Sequence, residues 1–212
     1  MNSSQRQADT SPADDRGRKA GAGPGTEPLF FTGPDELERW LDGHHAVTPS
    51  LWIKVAKKST GIKTVTASEI IDTVLCYGWI DGQRKSLDET YYLQRISPRR
   101  PGSAWSLVNV RKVEALSAAG RMRESGEAQV RIAREDGRWA AAYPSQREAT
   151  VPADLAAALA SEPRAADHFE TLGKTERYLV VLHLLTARTP GLRARRLDRA
   201  ITKLASGQTP RP

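Results

Sequence analysis

Residues 75–109, LCYGWIDGQRKSLDETYYLQRISPRRPGSAWSLVN, decide how this chain folds, because one helix ends, a strand runs and another helix begins within them. Just upstream, Thr66-Ala67-Ser68-Glu69 is a capping box. Its Thr hydroxyl and Glu carboxylate each satisfy an amide that a first helical turn leaves open. The spacing predicts a helix from there to about Tyr77, with Ile70, Ile71, Val74 and Leu75 inward and Gly78 as its stop. Trp79-Ile80-Asp81-Gly82 leads away from it, and the polar residues up to Thr90 read as a hairpin or crossover loop. Tyr91 to Ser97 then alternates as a strand, with Tyr91, Leu93, Arg95 and Ser97 on one face and Tyr92, Gln94 and Ile96 on the other. An arginine sharing a face with Leu93 needs a partner if it is buried, and Asp81 is the candidate. Ser97-Pro98-Arg99-Arg100-Pro101-Gly102 is a loop by composition, after which Ser103 or Ser106 caps a helix through Ala119.

Working outward, Phe30 and Phe31 suggest a short strand, and Gly33-Pro34-Asp35 opens a helix with Leu37, Trp40 and Leu41 on one side, ending at Gly43. Leu51 to Lys57, LWIKVAK, alternates as a half-buried strand. Downstream the pattern is helical over 125–136, 152–161, 163–172, 174–189 and 191–205, with Pro163, Gly173 and Pro190 dividing the last four. The expected class is α+β: a small mixed N-terminal half with a short sheet and helices, then a helical C-terminal half. The expected organisation is a disordered tail over 1–28, an α+β core domain over 29–143, a helical subdomain over 144–207 and a disordered end over 208–212. The tail holds one Met and no other large apolar side chain, too little to offset the entropy of ordering it.

Composition narrows the class. At 212 residues, 39% hydrophobic and 27% charged, the chain is long enough for one ordinary core or two small ones. A single cysteine, Cys76, excludes an internal disulfide framework, and its apolar setting reads as a buried thiol. No apolar leader follows Met1, and the longest apolar run, Tyr178 to Leu185, falls short of the roughly 18 residues of a membrane span, so no membrane insertion and a cytoplasmic address are expected. His44 and His45 are neighbours that point apart, while His168 and His183 lie far off in sequence, so no metal site is expected. No cofactor signature is present: Gly21-Ala22-Gly23-Pro24-Gly25 lies in the tail with no strand before it, and no GxSxG elbow occurs. No catalytic residue is singled out, and the oligomeric state is open.

The net charge of +7 is concentrated. Residues 82–112 carry seven basic side chains against Asp88 and Glu89, and residues 174–212 carry nine against Glu176 and Asp198. Such blocks favour anionic partners or are simply solvated faces. Two of the five tryptophans and three of the five tyrosines fall within 75–109, which makes that stretch the first place to look for a binding surface. In one reading Trp79 and Trp105 wall a pocket, Arg95 and Arg99 take an anionic group, and Asp81, Ser103, Ser106 and Asn109 orient it by hydrogen bonds. In the other, both tryptophans are core, Asp81 pairs Arg95, and the serines only cap a helix. The function that follows from the first reading is binding of an anionic or planar small molecule. One alternative is nucleic acid, held by stacking aromatics and basic patches that include Arg193, Arg195, Arg196 and Arg199. Another is an enzyme of unknown reaction.

Cys76-Tyr77-Gly78-Trp79-Ile80-Asp81-Gly82, Ser97-Pro98-Arg99-Arg100 and Ser103-Ala104-Trp105-Ser106-Leu107-Val108-Asn109 resemble the YdeI/OmpD-associated, or bacteriocin-protection, family. The likeness continues through Gly120-Arg121-Met122, Gly126, Gly137-Arg138-Trp139 and the tail block Ala187 to Arg196, in which no lysine precedes Arg188. It covers about Leu29 to Gly207. It implies a bacterial protein linked to bacteriocin tolerance and envelope stress, and it implies no particular catalytic residues.

Overall fold

A computed structural model describes residues 27–210. Residues 1–26 of the expected tail and the last two positions of the expected disordered end, 211–212, lie outside them. Four strands, β1 (Leu29–Phe30), β2 (Leu51–Ala56), β3 (Trp79–Ser86) and β4 (Tyr91–Pro98), form one sheet in the order β1-β2-β4-β3. β1 runs parallel to β2, and the other neighbours are antiparallel. Eight helices accompany the sheet among the described residues: α1 (Pro34–His44), α2 (Ala67–Cys76), α3 (Leu107–Ala118), α4 (Glu124–Glu135), α5 (Ala153–Ser161), α6 (Pro163–Thr171), α7 (Lys174–Leu185) and α8 (Pro190–Ala205). The protein is therefore α+β, with its strands in the N-terminal half and only helices in the C-terminal half.

The capping box forms as its sequence dictates. Thr66 Oγ1 accepts from the Glu69 amide at 3.3 Å, and the Glu69 carboxylate accepts from the Thr66 amide at 2.7 Å. α2 then lays Ile70, Val74 and Leu75 against Leu37 and Leu41 of α1 and the inner sheet face of Leu51, Ile53, Val55 and Ile96. Each fully buried Leu or Ile in that cluster contributes roughly 1.5–3 kcal/mol relative to an exposed one. A second cluster joins Leu155, Phe169, Val181, Leu184, Ala200 and Leu204 from α5 to α8.

α2 stops at Gly78, which has φ +72, and packs closely on α4. A Cβ built on Gly126 would lie 2.2 Å from the Cys76 carbonyl oxygen. That oxygen also accepts from the Arg123 amide at 3.0 Å. Two helices meet here at backbone distance, which only glycine permits.

The segment read as a hairpin or crossover loop is a hairpin, and half of it, Gln83 to Ser86, is strand. β3 extends from Trp79 through Ser86 and pairs with β4, its register shifting between Asp81 and Arg84. Residues 82 to 86 are exposed, so ladder hydrogen bonds rather than side-chain burial hold them, and the bulge breaks the alternation by which a strand is recognised. The shift also settles the expected ion pair. Asp81 stands opposite Ile96, which faces the core, whereas Arg95 stands opposite Trp52 on the other face. Arg95 and Asp81 therefore point to opposite sides of the sheet, and Arg95 Nη2 donates to Ser50 Oγ at 3.1 Å instead.

Candidate functional site

Three segments meet beside α3: the loop leaving β4, the turn that ends α4, and the joint between α7 and α8. They form a cavity of about 400 Å³, half open to solvent, whose lining includes Trp105, Asp136, Arg138, Thr186 and Arg188. Its position follows from local backbone chemistry. Ser106 caps α3 by accepting from the Asn109 amide at 3.2 Å, and the chain on either side is clasped to Tyr143. The Leu107 amide donates to the Tyr143 carbonyl at 2.8 Å, and the Tyr143 amide donates to the Trp105 carbonyl at 2.9 Å. Trp105 is thereby fixed with its indole 2% exposed.

Two groups pack against that indole. Trp139 lies with ring centroids 4.9 Å apart and planes at 60°. Arg99 sits with Cζ 3.6 Å from the Trp105 centroid, a stacked cation–π contact. Arg99 is only 5% exposed. Its Nη2 donates to the Ala104 carbonyl at 2.9 Å, but among the described residues Nε and Nη1 have no partner, nor has Trp105 Nε1. A buried cation with idle donors is costly unless something anionic or polar meets it. Burial is the main cause that pushes the Arg99 guanidinium down to about 10, while Tyr143 and Asp81 oppose the fall and Arg138 adds to it. Burial likewise raises the Asp81 carboxyl, against the attraction of Arg84 and Arg99.

Behind Trp105, Arg99 is not part of the cavity lining; two other arginines are. Arg138 Nε donates to both Asp136 carboxylate oxygens, at 2.8 and 2.7 Å, and its Nη1 donates to the Ser103 carbonyl at 2.8 Å. Burial pushes the Asp136 carboxyl up, but the Arg138 hydrogen bonds outweigh it and hold it below the usual carboxylate value. Arg188 reaches across from the α7–α8 joint to donate to the Gly102 carbonyl. Gly102 has φ +74, a left-handed conformation that favours glycine, and the Arg188 guanidinium packs where a Cβ would stand. Two guanidinium groups and one carboxylate thus surround an aromatic wall with a third guanidinium stacked on it. This is the make-up of a site for a carboxylate or phosphate attached to a flat apolar body.

The residues expected from sequence divide sharply. Arg99 and Trp105 are in contact, Asp81 is among the charges that act on Arg99, and Ser103 offers its carbonyl to Arg138. Ser106 and Asn109 are engaged in the cap of α3. Trp79 is core: it is 1% exposed, packs edge-on to Trp40 at 6.2 Å, and donates Nε1 to the His45 carbonyl at 3.2 Å. Arg95 lies on the far face of the sheet. Asp136, Arg138, Trp139, Thr186 and Arg188 were not among the expected site residues. In the C-terminal basic block, Arg193 and Arg196 turn inward. Arg193 binds Asp154 and the Leu184 carbonyl, and Arg196 binds the His183 carbonyl. Both thereby put positive charge on the C-terminus of α7, where the helix dipole favours it.

The lysine-free tail block around Arg188 therefore contributes directly to the cavity, and comparison places it. The C-terminal segment matches the family described as Bacteriocin-protection, YdeI or OmpD-Associated. The YdeI/OmpD-associated match spans residues 148–207, from just before α5 to the end of α8. Residues 29–129 match a second model, described as a domain of unknown function (DUF8412), which takes in the sheet, α1 to α3 and the Arg99–Trp105 loop. The cavity is thus shared between the segment that matches the YdeI/OmpD-associated family, which supplies Thr186 and Arg188, and the chain that precedes it. Comparisons with curated proteins and with solved structures found no match. No helix among the described residues is long and apolar enough to cross a membrane.

Proposed function

We propose that the protein binds a small anionic ligand with a planar face in the cavity between Trp105 and Arg188, and acts by binding in a bacteriocin-tolerance or stress role. The observation that carries this reading is Arg99: a guanidinium 5% exposed, with two donors unpartnered, stacked on the tryptophan that walls the cavity. The cavity volume suits a metabolite-sized ligand. Arg138 and Arg188 bring positive charge to the cavity, each with donors beyond those bound to Asp136, Ser103 and Gly102. The tolerance role rests on the description of the family matched at 148–207. The chemistry of the lining supports binding more than catalysis, since it offers cations and an aromatic surface and no nucleophile beside a base.

The test is a thermal-shift screen of carboxylates, phosphates and nucleotides on the intact protein. A ligand held at 100 times its Kd stabilises by about 2.7 kcal/mol, a rise of roughly 5 °C or more for a chain of this size. Arg138→Ala and Trp105→Phe should remove or weaken the shift. Ligands whose shifts are indifferent to both substitutions, or a screen with no hit, would overturn the reading.

A further inference from the structure

The sheet has a second face, and neither core covers it. Register places Phe30 beside Lys54, Lys54 beside Leu93 and Leu93 beside Lys85, a continuous rung across all four strands. Trp52 and Arg95 form the adjacent rung. Phe30, Trp52, Tyr91 and Leu93 belong to neither buried cluster nor to the residues packed against them. Phe30 is 40% exposed, and Lys85 is exposed. Aromatic rings on this face are met by cations: Lys54 Nζ stands 4.0 Å from the Tyr91 centroid, and Lys85 Nζ stands 4.7 Å from that of Trp52. Alternation puts no Asp or Glu on this face of the four strands, and among the described residues Lys54, Lys85 and Arg95 form no salt bridge.

We propose that this open face binds single-stranded nucleic acid, with bases stacking on Trp52 and Tyr91 and phosphates meeting Lys54, Lys85 and Arg95. A flat surface of alternating rings and cations, without carboxylates, is complementary to a polymer that alternates flat bases with negative charge. Extended peptides dock by adding a strand to an edge or by filling grooves, and this face offers neither. Trp52 and Tyr91 stand four residues apart in register, about 13 Å along the strands, so each ring takes its own base. Exposed cation–π contacts are weak and lysine stems are flexible, so Lys54 and Lys85 can swing from their rings to phosphates as bases arrive. The site is independent of the Trp105 cavity, whose lining includes none of Trp52, Lys54, Lys85, Tyr91 and Arg95.

Fluorescence anisotropy with labelled oligothymidylate and oligouridylate, titrated over salt, tests it on the full chain. Binding at low salt is expected, with log K falling against log salt by roughly 0.7 for each phosphate contact. Trp52→Ala should weaken binding about 10-fold or more. Lys54→Ala, Lys85→Ala and Arg95→Ala should each flatten the salt dependence. Trp52→Phe should retain most of the affinity, which separates lost stacking from misfolding, and Arg138→Ala should leave binding unchanged. The proposal fails if no binding appears at low salt, or if the Trp52 and cation variants bind like the native chain. It also fails if Arg138→Ala removes binding, or if light scattering shows a dimer that Trp52→Ala dissociates, since the face would then belong to a second copy.

Discussion

Arg99 stands over the Trp105 ring with Cζ 3.6 Å from the centroid, while two of its nitrogens find no partner among the described residues. A charge so placed stabilises the empty protein little, because desolvation offsets its stacking energy.

Arg99→Met tests that directly. Methionine keeps an unbranched stem of similar bulk against the indole and removes the buried charge. Ligand-free stability should be unchanged or raised by about 1 kcal/mol, read from urea midpoints, while any anion-dependent thermal shift is lost. Arg99→Ala should instead cost about 2 kcal/mol or more through the cavity it leaves. A large loss in the Met variant would make the residue structural.

Gly126→Ala should destabilise by about 3 kcal/mol or more, because the new methyl group would meet the Cys76 carbonyl, a rigid backbone atom, at 2.2 Å. A falling urea midpoint with an unchanged slope is the expected signature. Gly43→Ala, where a Cβ meets nothing within 4 Å, is the matched control and should be neutral or slightly stabilising.

His183 gives the helical half an acid sensitivity. Burial, then Arg196, Arg199 and Lys203, hold its pKa below the usual 6.5. The unfolded chain therefore binds this proton more readily than the native one between the folded value and 6.5. Stability falls as pH drops through that window and levels off below it. His183→Gln should flatten this slope in denaturation midpoints measured across pH, and an unchanged slope would place the sensitivity elsewhere.

Asp154 and Arg193 tie α5 to α8 by paired hydrogen bonds of 2.7 and 2.8 Å. The Arg193 hydrogen bonds hold the Asp154 pKa below its usual 3.8, so the contribution is present above that value and lost as pH falls through the folded one. With the two side chains 30% and 36% exposed, solvent screening limits the pair to about 1 kcal/mol or less. Arg193→Lys keeps the charge but loses the fork, and a double-mutant cycle with Asp154→Asn should return a coupling of that size.

What the sequence makes legible here is whatever local chemistry decides. The Thr66–Glu69 box, the Gly78 stop and the Ser106 cap are each settled by neighbours within four residues, and each appears where its residues require. Alternation over 91–97 separates Arg95 from Gln94, but it does not say which set faces the helices. Gln94 is the buried one, its amide held by carbonyls of Gly82 and Arg95 and its oxygen by Arg84. β3 is hidden because its outer half is polar and bulged, with nothing in its side chains to announce a ladder. The cavity draws Trp105 from one half of the chain and Arg188 from the other, 83 positions apart, and no spacing rule reaches that far.

The irregularity in β3 has a final bearing on how copies of this chain meet. β1, only two residues long, is one border of the sheet, and β3 is the other. A strand arriving from a neighbouring molecule would find too few free amides along the first border. Along the second it would find a kinked ladder beside Arg84 and Lys85. Both borders therefore resist end-on growth into fibres, and a chain with an uncovered aromatic face keeps that face without inviting sheet-to-sheet polymerisation.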